Sequence, residues 1–503
     1  MDFNDFREFG KAAVDFIADY LQNIRERDVL PSVTPGFLHN QLPSEIPNKA
    51  ENWNIILNDL ESIIVPGLTH WQSPNFHAYY PAETSFGSIV GELLSAGLGV
   101  VGFNWICSPA CTELEVIVMD WLAKFLNLPD YFLNETNGPG GGIIQSTASE
   151  SIFVAVLAAR NKALKFLKLK YPNIDSNAEL YGKMIIYSSE QSNSCIEKAG
   201  LLSGIPVKLL KTDEMLSLRG DTLKEQINND LKNGLHPIIC IATIGTTATC
   251  AHDTLIELGP ICVENNIWFH IDAAYAGAAF CLPEYKHLLS GLEYADSLNF
   301  NLHKFMRTNF DCCAMWYKDT NDVINSFNVD RIYLRNKYEN QTKWAPEYRN
   351  WEIPLGRRFR ALKVWITLRT LGGDGIREFI RNHIHLAKIF EKFIENDSRF
   401  ETITKSSLGL VCFKIKGSNE LTKRLLENLQ ERKKIYLIEA KVNDKYFLRF
   451  SICGFEPNES DIAYAWEEIS EQTSKILNHV ENVNKDEDFA ENLIIDKKSV
   501  AWF

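Results

Sequence analysis

The feature that most constrains this chain is the alternation of short apolar segments with amphipathic helical patterns between Gly87 and about Leu371. Met184–Tyr187 and Pro237–Ala242 are two of these segments, and each is apolar along its whole length. A strand that is apolar on both faces must be covered on both faces, and strands separated by helices run parallel in one sheet. The pattern therefore predicts an α/β domain with helices on both sides of a parallel sheet.

The segments on either side of this region have different patterns. The first 85 residues contain amphipathic helical stretches broken by prolines, and such an arm is too small to fold alone. Beyond Gly372, helical stretches are mixed with apolar strands, which predicts a smaller α+β domain. The expected organisation is a helical N-terminal arm (1–85), a large domain (86–374), a small C-terminal domain (375–480) and a polar tail (481–503).

The charge balance and the cysteines limit the classes of function and the cellular compartments that fit this chain. The 52 basic and 65 acidic residues give a net charge of −13, which argues against a nucleic-acid or anionic-membrane partner. The 11 cysteines include no C-x-x-C pair and no zinc-ligand spacing, so we expect a reducing compartment and no metal site. The acidic N-terminus lacks the pattern of a signal peptide, and no apolar run is long enough for a membrane helix. We therefore expect a cytoplasmic protein that acts on small molecules.

A glycine-rich stretch at Gly138–Gly142 precedes the start of a helical pattern. Thr147 is followed three residues later by Glu150, which is the spacing of a capping box. Backbone N–H groups and the positive end of the helix then meet near Ala148 and Ser149, where a phosphate would be stabilised. By itself the pattern also fits an ordinary helix cap.

Two further segments place charged residues after apolar strands. The strand pattern at 267–271 leads into Asp272, and the pattern at 297–301 is followed by His303 and Lys304. Ligands of open α/β sheets bind at the carboxyl ends of the strands, and a desolvated lysine can condense with a carbonyl group. Taken singly, Asp272 could equally cap the next helix, and most lysines are solvated surface groups.

The three features together are more specific than any one of them. A phosphate-binding helix end, a carboxylate at a strand end and a lysine follow one another along a predicted parallel-sheet domain. Pyridoxal phosphate needs an anion site for its phosphate, a carboxylate for its ring nitrogen and an amine for its aldehyde. The sequence therefore predicts a pyridoxal-phosphate site.

A polar stretch at about 319–350 has scattered aromatic residues and no clear period, and it is longer than compact domains usually tolerate without function. We interpret this stretch as a mobile segment, called the lid below. Tyr333 lies within it and is a candidate acid whose hydroxyl reaches the site only when the lid closes. The alternative is that Tyr333 simply packs the lid against the domain.

From about residue 1 to 480 the chain resembles the aromatic L-amino-acid decarboxylases, which are group II pyridoxal-phosphate decarboxylases of fold type I. The motifs that carry the resemblance follow one another in a fixed order: Thr69-His70-Trp71 with Ser73-Pro74, Ser108–Glu115, Asp272–Gly277, Asn299-Phe300-Asn301 with His303-Lys304, and Ile353–Arg360. The resemblance implies a mostly parallel seven-stranded sheet in the large domain. It also implies an obligate homodimer in which the N-terminal arm takes part.

The same resemblance implies roles for individual residues. Lys304 would bind the cofactor aldehyde, and Asp272 would pair with the pyridinium nitrogen. The other implied cofactor positions are Ala148, Ser149, Asn301 and His303 at the phosphate, with Thr247 and Ala274 beside the ring. The implied substrate positions are Tyr79, Tyr80, Pro81, Ala82, Leu355 and Gly356, with Val101 and Phe103 contributed by the second subunit.

Two positions depart from the family pattern. Family decarboxylases usually stack a histidine on the cofactor ring, whereas this chain has Asn193 there, in Glu190–Ser194. An amide cannot exchange a proton near neutral pH as an imidazole does. The second departure is Ala82, where amine-forming relatives commonly have a threonine, so recognition of a catechol must differ.

The loss of the histidine acts on the step after carbon dioxide leaves. Slow protonation of the substrate α-carbon would leave an electron-rich centre that dioxygen can oxidise. Asn193 together with the retained Tyr333 resembles the pattern of the insect 3,4-dihydroxyphenylacetaldehyde synthases. The expected reaction is oxygen-dependent conversion of L-dopa to the aldehyde, carbon dioxide, ammonia and hydrogen peroxide.

Two alternatives remain open on the sequence alone. The exchange to Asn193 could be tolerated, which would leave a conventional aromatic L-amino-acid decarboxylase that produces dopamine or another arylalkylamine. A pseudoenzyme retained as a binding or scaffold protein is the non-enzymatic alternative, although the complete cofactor set speaks against it. Arg357, Arg358 and Arg360 are interpreted as ion-pair partners around the site, since the chain is acidic overall.

Overall fold

The computed structural model describes residues 1–338 and 342–499, with side chains described as far as residue 480. Contacts divide the chain into two compact units, which are described separately below. One unit is Tyr80–Ile384, and the other joins residues 1–79 to the chain from 385 onward. The domain boundaries predicted from the sequence stay a prediction. The last residues of the predicted tail, 500–503, lie outside the described residues.

The larger unit is built on a seven-stranded sheet. Its strands are β1 (Gly141–Gln145), β2 (Met184–Ser189), β3 (Val207–Leu210), β4 (His236–Thr243), β5 (Trp268–Asp272), β6 (Ser297–Asn301) and β7 (Cys313–Tyr317). Their order across the sheet is β1-β7-β6-β5-β4-β2-β3. The neighbours from β6 to β3 are parallel, whereas β7 is antiparallel to both β1 and β6. The predicted mostly parallel α/β sheet is confirmed.

Helices pack on this sheet, and most of its strands are buried along their whole length. Every residue of β1, β2, β5, β6 and β7 is buried. The first two helices, α1 (Phe3–Gln22) and α2 (Trp53–Asp59), belong to the smaller unit. The larger unit contains α3 (Phe86–Leu98), α4 (Pro109–Phe125), α5 (Ala148–Lys170), α6 (Asn177–Tyr181), α7 (Cys195–Ser203), α8 (Gly220–Lys232), α9 (Leu255–Glu264), α10 (Leu302–Phe305), α11 (Thr320–Phe327) and the first part of α12 (Arg360–Asn396). α5 contacts five of the strands, while α8 packs on β4 and α9 on β5.

The start of α5 differs in one detail from the expected capping box. Thr147 is the N-cap residue, and its hydroxyl accepts a hydrogen bond from the N–H of Glu150. The Glu150 carboxylate, however, accepts from the N–H and hydroxyl of Ser146 and not from Thr147. The helix N-terminus therefore lies where the sequence predicted it, and the carboxylate stabilises the residue before the cap.

The lid is less irregular than the sequence suggested. Its first part forms α11, which begins at the N-cap Asp319 and buries Val323 in the core of the larger unit. Ile324 and Phe327 pack against the same core. The helix forms because these apolar residues share one face, at spacings that the polar composition of the stretch conceals. Residues 339–341 of the lid lie outside the described residues.

The smaller unit contains a four-stranded antiparallel sheet, with order β10-β11-β9-β8. Its elements from residue 385 onward are the end of α12 (Arg360–Asn396), β8 (Phe400–Thr402), β9 (Leu410–Ile415), α13 (Asn419–Arg432), β10 (Ile438–Val442), β11 (Lys445–Ser451) and α14 (Glu459–Ser499). The N-terminal arm packs on this sheet and its helices. Arg25 pairs with Asp461 at 2.9 Å, and the N–H of Val29 donates to the carbonyl of Lys433 at 3.0 Å.

Gly372 interrupts α12 with φ 66° and ψ 167°, at the position where the sequence pattern changes. A residue with a side chain would be strained in this conformation, which glycine adopts readily. Of the helices in the described parts of the chain, none is both long enough and apolar enough to cross a lipid bilayer.

Candidate active site

The candidate site lies at the carboxyl ends of β5 and β6. Asp272 is the last residue of β5, and in the register of the sheet it is opposite Asn299 of β6. β6 ends at Asn301 and continues directly into α10, which carries Lys304. Adjacent parallel strands end at the same edge of a sheet, so the predicted carboxylate and the predicted lysine come together there.

The Asp272 carboxyl group is fully buried among polar partners. Its Oδ1 accepts hydrogen bonds from the N–H of Ala274 and from Nδ2 of Asn299, both at 3.1 Å. Burial raises the pKa of Asp272, while the positive charge of Lys304 and these two hydrogen bonds act in the opposite direction. A cation placed against this carboxyl group would favour its ionised form.

A chain of buried polar groups behind Asp272 fixes the orientation of Asn299. Nε2 of His270 is 2.8 Å from Oδ1 of Asn299, and Nδ1 of the same ring is 2.7 Å from the Ser297 hydroxyl. Burial lowers the pKa of His270 to about 4, so its imidazole is neutral at neutral pH. Since Asn299 donates to Asp272 through Nδ2, its Oδ1 must accept, which assigns the proton of His270 to Nε2.

The role of His270, Ser297 and Asn299 in orienting the carboxylate was not evident from the sequence. A usable signal was present, since His270 and Asp272 are two residues apart on one strand and therefore share a face. Ser297 and Asn299 have the same spacing on the next strand. The missing information was the register that places these two pairs opposite each other.

Lys304 is half-buried beside stacked aromatic rings. Its Nζ lies 5.5 Å from the centroid of the Tyr80 ring. The Tyr80 ring stacks on Tyr275 with centroids 3.9 Å apart, and the Tyr80 hydroxyl donates to the carbonyl of Thr246 at 2.8 Å. The lysine therefore projects into an environment with apolar walls, where an amine loses part of its hydration.

The chain on either side of Tyr80 contains three other predicted substrate positions. Pro81 is buried and Ala82 is half-buried. The N–H of Glu83 donates to the carbonyl of His303 at 2.8 Å, which attaches this segment directly beside Lys304. Tyr79 falls in the smaller unit, where it has φ 57° and is 46% exposed.

The predicted phosphate site gathers the N-terminus of α5 and the end of β6. Ala148 is buried at the start of α5, and the neighbouring Ser149 hydroxyl interacts with the thiol of Cys195. The charges of Asp272 and Lys304 both act on that thiol, so the helix end lies close to the carboxylate and the lysine. The three predicted features thus occupy one region of the larger unit.

His303 is neutral in this site. Its Nδ1 lies 3.0 Å from the backbone nitrogen of Cys312 and 2.9 Å from the carbonyl oxygen of the same residue. Burial first, and then the charge of Lys304, lower the pKa of His303 to about 4. His303 can therefore contribute a hydrogen bond to a phosphate but no positive charge at neutral pH.

Asn193 is held in one orientation by its neighbours. Its Oδ1 accepts from the N–H of Cys195 at 3.0 Å, which directs Nδ2 toward the Thr247 hydroxyl at 2.9 Å. Because a backbone N–H can only donate, the oxygen and nitrogen of the amide are assigned without ambiguity. The structure thus brings together Asn193 and Thr247, and their position beside the cofactor ring stays a prediction.

The Tyr333 side chain lies outside this cluster. It belongs to a short 3₁₀ turn, Ile332–Leu334, and 75% of its surface is exposed to solvent. The structure therefore does not bring Tyr333 to Lys304, and the catalytic role predicted for this tyrosine stays a prediction.

The remaining substrate positions form a second group. Val101 and Leu355 are exposed and Phe103 is half-buried. A Cβ atom built on Gly356 would lie 3.9 Å from Cγ1 of Val101, so the two segments are neighbours. Their contribution to a pocket stays a prediction.

The residues around Asp272, Lys304 and the start of α5 fit pyridoxal phosphate. Lys304 would supply the amine, Asp272 the carboxylate and the start of α5 the anion site. Oδ1 of Asn301 is buried and has no hydrogen-bond partner among the described residues, and such atoms in folded proteins normally have one. In the described residues, no group of three or more His, Cys, Asp and Glu side chains is arranged to hold a metal ion.

Comparisons with known proteins agree with this assignment. The family model for the pyridoxal-dependent decarboxylase conserved domain matches residues 35–416. A 3,4-dihydroxyphenylacetaldehyde synthase of Aedes aegypti is 57% identical over 484 residues, which cover 96% of this chain and 92% of that protein. An aromatic-L-amino-acid decarboxylase of Manduca sexta is 48% identical over 477 residues, covering 95% of this chain and 93% of that protein.

A solved structure shows the same fold. The crystal structure of Oryza sativa TDC with PLP and tryptamine superposes with a TM-score of 0.91 at 33% sequence identity, and the match covers 95% of this chain and 99% of that chain. Fold, site and sequence therefore agree on an enzyme whose cofactor is pyridoxal phosphate. The chain belongs to the pyridoxal-dependent decarboxylase family.

Proposed function

We propose that this enzyme converts L-dopa, dioxygen and water to 3,4-dihydroxyphenylacetaldehyde, carbon dioxide, ammonia and hydrogen peroxide, a reaction of catecholamine metabolism. The observation that carries the proposal is the fixed amide of Asn193, which stands where family decarboxylases have a histidine. The greater identity to the Aedes aegypti aldehyde synthase than to the Manduca sexta decarboxylase supports it. The alternative is a conventional decarboxylase that releases an amine.

Bound pyridoxal phosphate supplies an electron sink for the bond that the substrate loses with carbon dioxide. Lys304 would hold the cofactor through its aldehyde. The buried Asp272 carboxylate would keep a proton on the ring nitrogen, because an ion pair there relieves the cost of its burial. Asn299, held by His270, keeps that carboxylate oriented.

Asn193 determines which product forms, because it cannot supply a proton to the substrate. A histidine at this position could pass a proton to the substrate α-carbon, and a positioned general acid contributes about 10²–10⁴-fold to such a step. The amide neither gains nor loses a proton as an acid or base near neutral pH, and its Nδ2 is already directed to Thr247. Protonation at the α-carbon is then slow enough for dioxygen to accept electrons there and leave as hydrogen peroxide.

The Asn193→His variant tests the proposal. We expect the amine to increase and hydrogen peroxide to fall relative to carbon dioxide, because the imidazole restores the missing proton carrier. Asn193→Gln is the matched control, since it keeps an amide and should keep aldehyde as the main product. Amine as the sole product of the parent protein in air would establish the conventional decarboxylase instead.

A homodimer is also proposed, from the exposed apolar surface of the chain. On the larger unit, α3 and the segment after it expose Leu94, Leu98 and Val101, at 47%, 63% and 54% of their surfaces. On the smaller unit, α1 exposes Phe3 and Phe6. Apolar surface of this extent is typical of an interface, and a second copy of the chain would bury it. Val101 and Phe103 would then reach the substrate pocket of the partner subunit.

The location is proposed from the thiols. No disulfide joins any of the eleven cysteines, all of which lie in the described residues, and ten of them are buried or half-buried. Unpaired cysteines in this number are typical of reducing compartments. We therefore retain the cytoplasm as the expected location.

A further inference from the structure

An exposed loop that carries two predicted substrate positions begins and ends at a buried contact between a glutamate and an arginine. Residues 353–356, called the pocket loop below, are all exposed, whereas Glu352 before them and Arg357 after them are both 3% exposed. Nε of Arg357 lies 2.5 Å from Oε1 of Glu352. These two atoms are in contact but are not aligned as a hydrogen bond, and neither has another hydrogen-bond partner among the described residues.

The other side of Arg357 is anchored firmly. Its Nη1 and Nη2 donate to the two carboxylate oxygens of Glu115 at 3.0 and 2.7 Å, and Nη2 also contacts the carbonyl of Ile144 at 3.3 Å. The carbonyl of Arg357 accepts from the N–H of Gly102 at 3.0 Å. Arg357 therefore joins the pocket loop to the segment of Val101 through its backbone carbonyl, and to Glu115 and strand β1 through its guanidinium.

This buried cluster contains two carboxyl groups and one guanidinium. Glu115 already makes a bidentate pair with Arg357, and such pairs are the strongest ion pairs in proteins. A second negative charge on Glu352 would be repelled by Glu115 and by Glu150, and attracted by Arg357 and more weakly by Arg360. The buried hydroxyl of Tyr317 also faces Glu352. Burial and these repulsions raise the pKa of Glu352 to about 8.

We propose that Glu352 is a positioning residue that holds the pocket loop closed while its carboxyl group is protonated and releases the loop when the group ionises. An ionised Glu352 leaves the buried cluster with excess negative charge, which is stabilised by moving the carboxylate toward water. That movement opens the base of the pocket loop and displaces Leu355 and Gly356. The inference rests on the proposed substrate role of these two residues.

Substrate binding should weaken as the pH rises. Below about pH 7 the carboxyl group is protonated, the loop is closed and substrate binds. As pH rises through about 8, the closed form is lost. If only the closed form binds substrate, KM for carbon dioxide release rises about tenfold between about pH 7 and about pH 9, while kcat at saturating substrate changes little.

The Glu352→Gln variant separates this effect from other titrations. A glutamine has the shape of the protonated carboxyl group and cannot ionise. We expect its KM to match that of the parent at about pH 7 and to lose the alkaline rise that Glu352 causes. Infrared difference spectra, parent minus variant, should show a protonated carboxyl stretch that disappears near pH 8, independently of activity.

The matched control is Glu468→Gln, which removes a carboxylate that pairs with Arg432 in the smaller unit. We expect the alkaline rise of KM to persist in this control. Equal rises in the parent and in Glu352→Gln, or no protonated carboxyl band near pH 7, would overturn the inference. A parent protein that releases no carbon dioxide from any aromatic amino acid would instead contradict the proposed function.

Discussion

Arg349, at the buried end of the lid, holds the part of the lid that contains Tyr333, and its replacement tests the function of the lid. Nη1 of Arg349 donates to the carbonyl of Leu334 at 3.0 Å, next to the tyrosine in the chain. Its Nε lies 3.2 Å from Oε2 of Glu347, and both side chains are buried. Glu347 in turn accepts a hydrogen bond from Nδ2 of Asn336 at 2.8 Å. Two points of the lid close to Tyr333 are therefore attached to one buried ion pair.

The Arg349→Met variant keeps an apolar stem and removes the guanidinium. A hydrogen bond from a charged donor contributes about 1.5–3 kcal/mol, so the lid should open about 10- to 100-fold more often. Trypsin cleavage after the exposed Arg331 and Arg335 reports this opening when opening is fast relative to cleavage. We expect cleavage there to accelerate by that factor and kcat to fall, because Tyr333 is delivered to the site less often.

The double variant Glu347→Gln with Arg349→Met separates anchoring from charge. Removing only the arginine leaves the Glu347 carboxylate buried without its positively charged partner. Such a loss typically lowers the free energy of unfolding by about 3–5 kcal/mol. The double variant should recover part of the thermal stability while the lid remains sensitive to trypsin, since the bond to Leu334 is still missing. Unchanged cleavage and kcat in Arg349→Met would refute the anchoring role.

Two further predictions concern the cofactor and the interface. Asp272→Asn should lower carbon dioxide release by about 10²–10³-fold, because the charge that supports the ring nitrogen is lost, and absorbance of the bound cofactor should shift while thermal stability changes little. Leu98→Glu places a charge on the exposed face of α3. Sedimentation should then show monomers with the circular dichroism of the parent and little activity, and an active dimer would contradict the proposed interface.

Much of the fold followed from the apolar pattern of the sequence. Strands β2 and β4 contain the apolar segments from which they were predicted, because a strand buried on both faces needs an uninterrupted apolar run. α11 was missed, since its apolar residues are few and lie among polar ones. In that helix, burial of Val323 against the core outweighs a composition typical of loops.

The site was predictable only in part. Asp272 and Lys304 could be placed because each follows a strand, and the ends of parallel strands meet. The pairs Glu352–Arg357 and Glu347–Arg349 could not be placed, although their members are close in sequence. Whether a glutamate and an arginine in a polar segment are buried depends on packing that sequence spacing does not encode.

The structure also gives a reason why a single replacement at Asn193 would decide the product. Burial lowers the pKa of His303 to about 4 and raises that of the Cys195 thiol to about 12. Neither group gains and loses protons readily near neutral pH, so neither can take over the part of a histidine on the cofactor ring. The hydroxyl of Tyr333 lies on the exposed surface in this structure, and its predicted delivery to the site would require movement of the lid. We therefore expect the rate of protonation of the substrate α-carbon to depend strongly on whether the residue at position 193 can carry a proton, and an amide there to favour electron transfer to dioxygen.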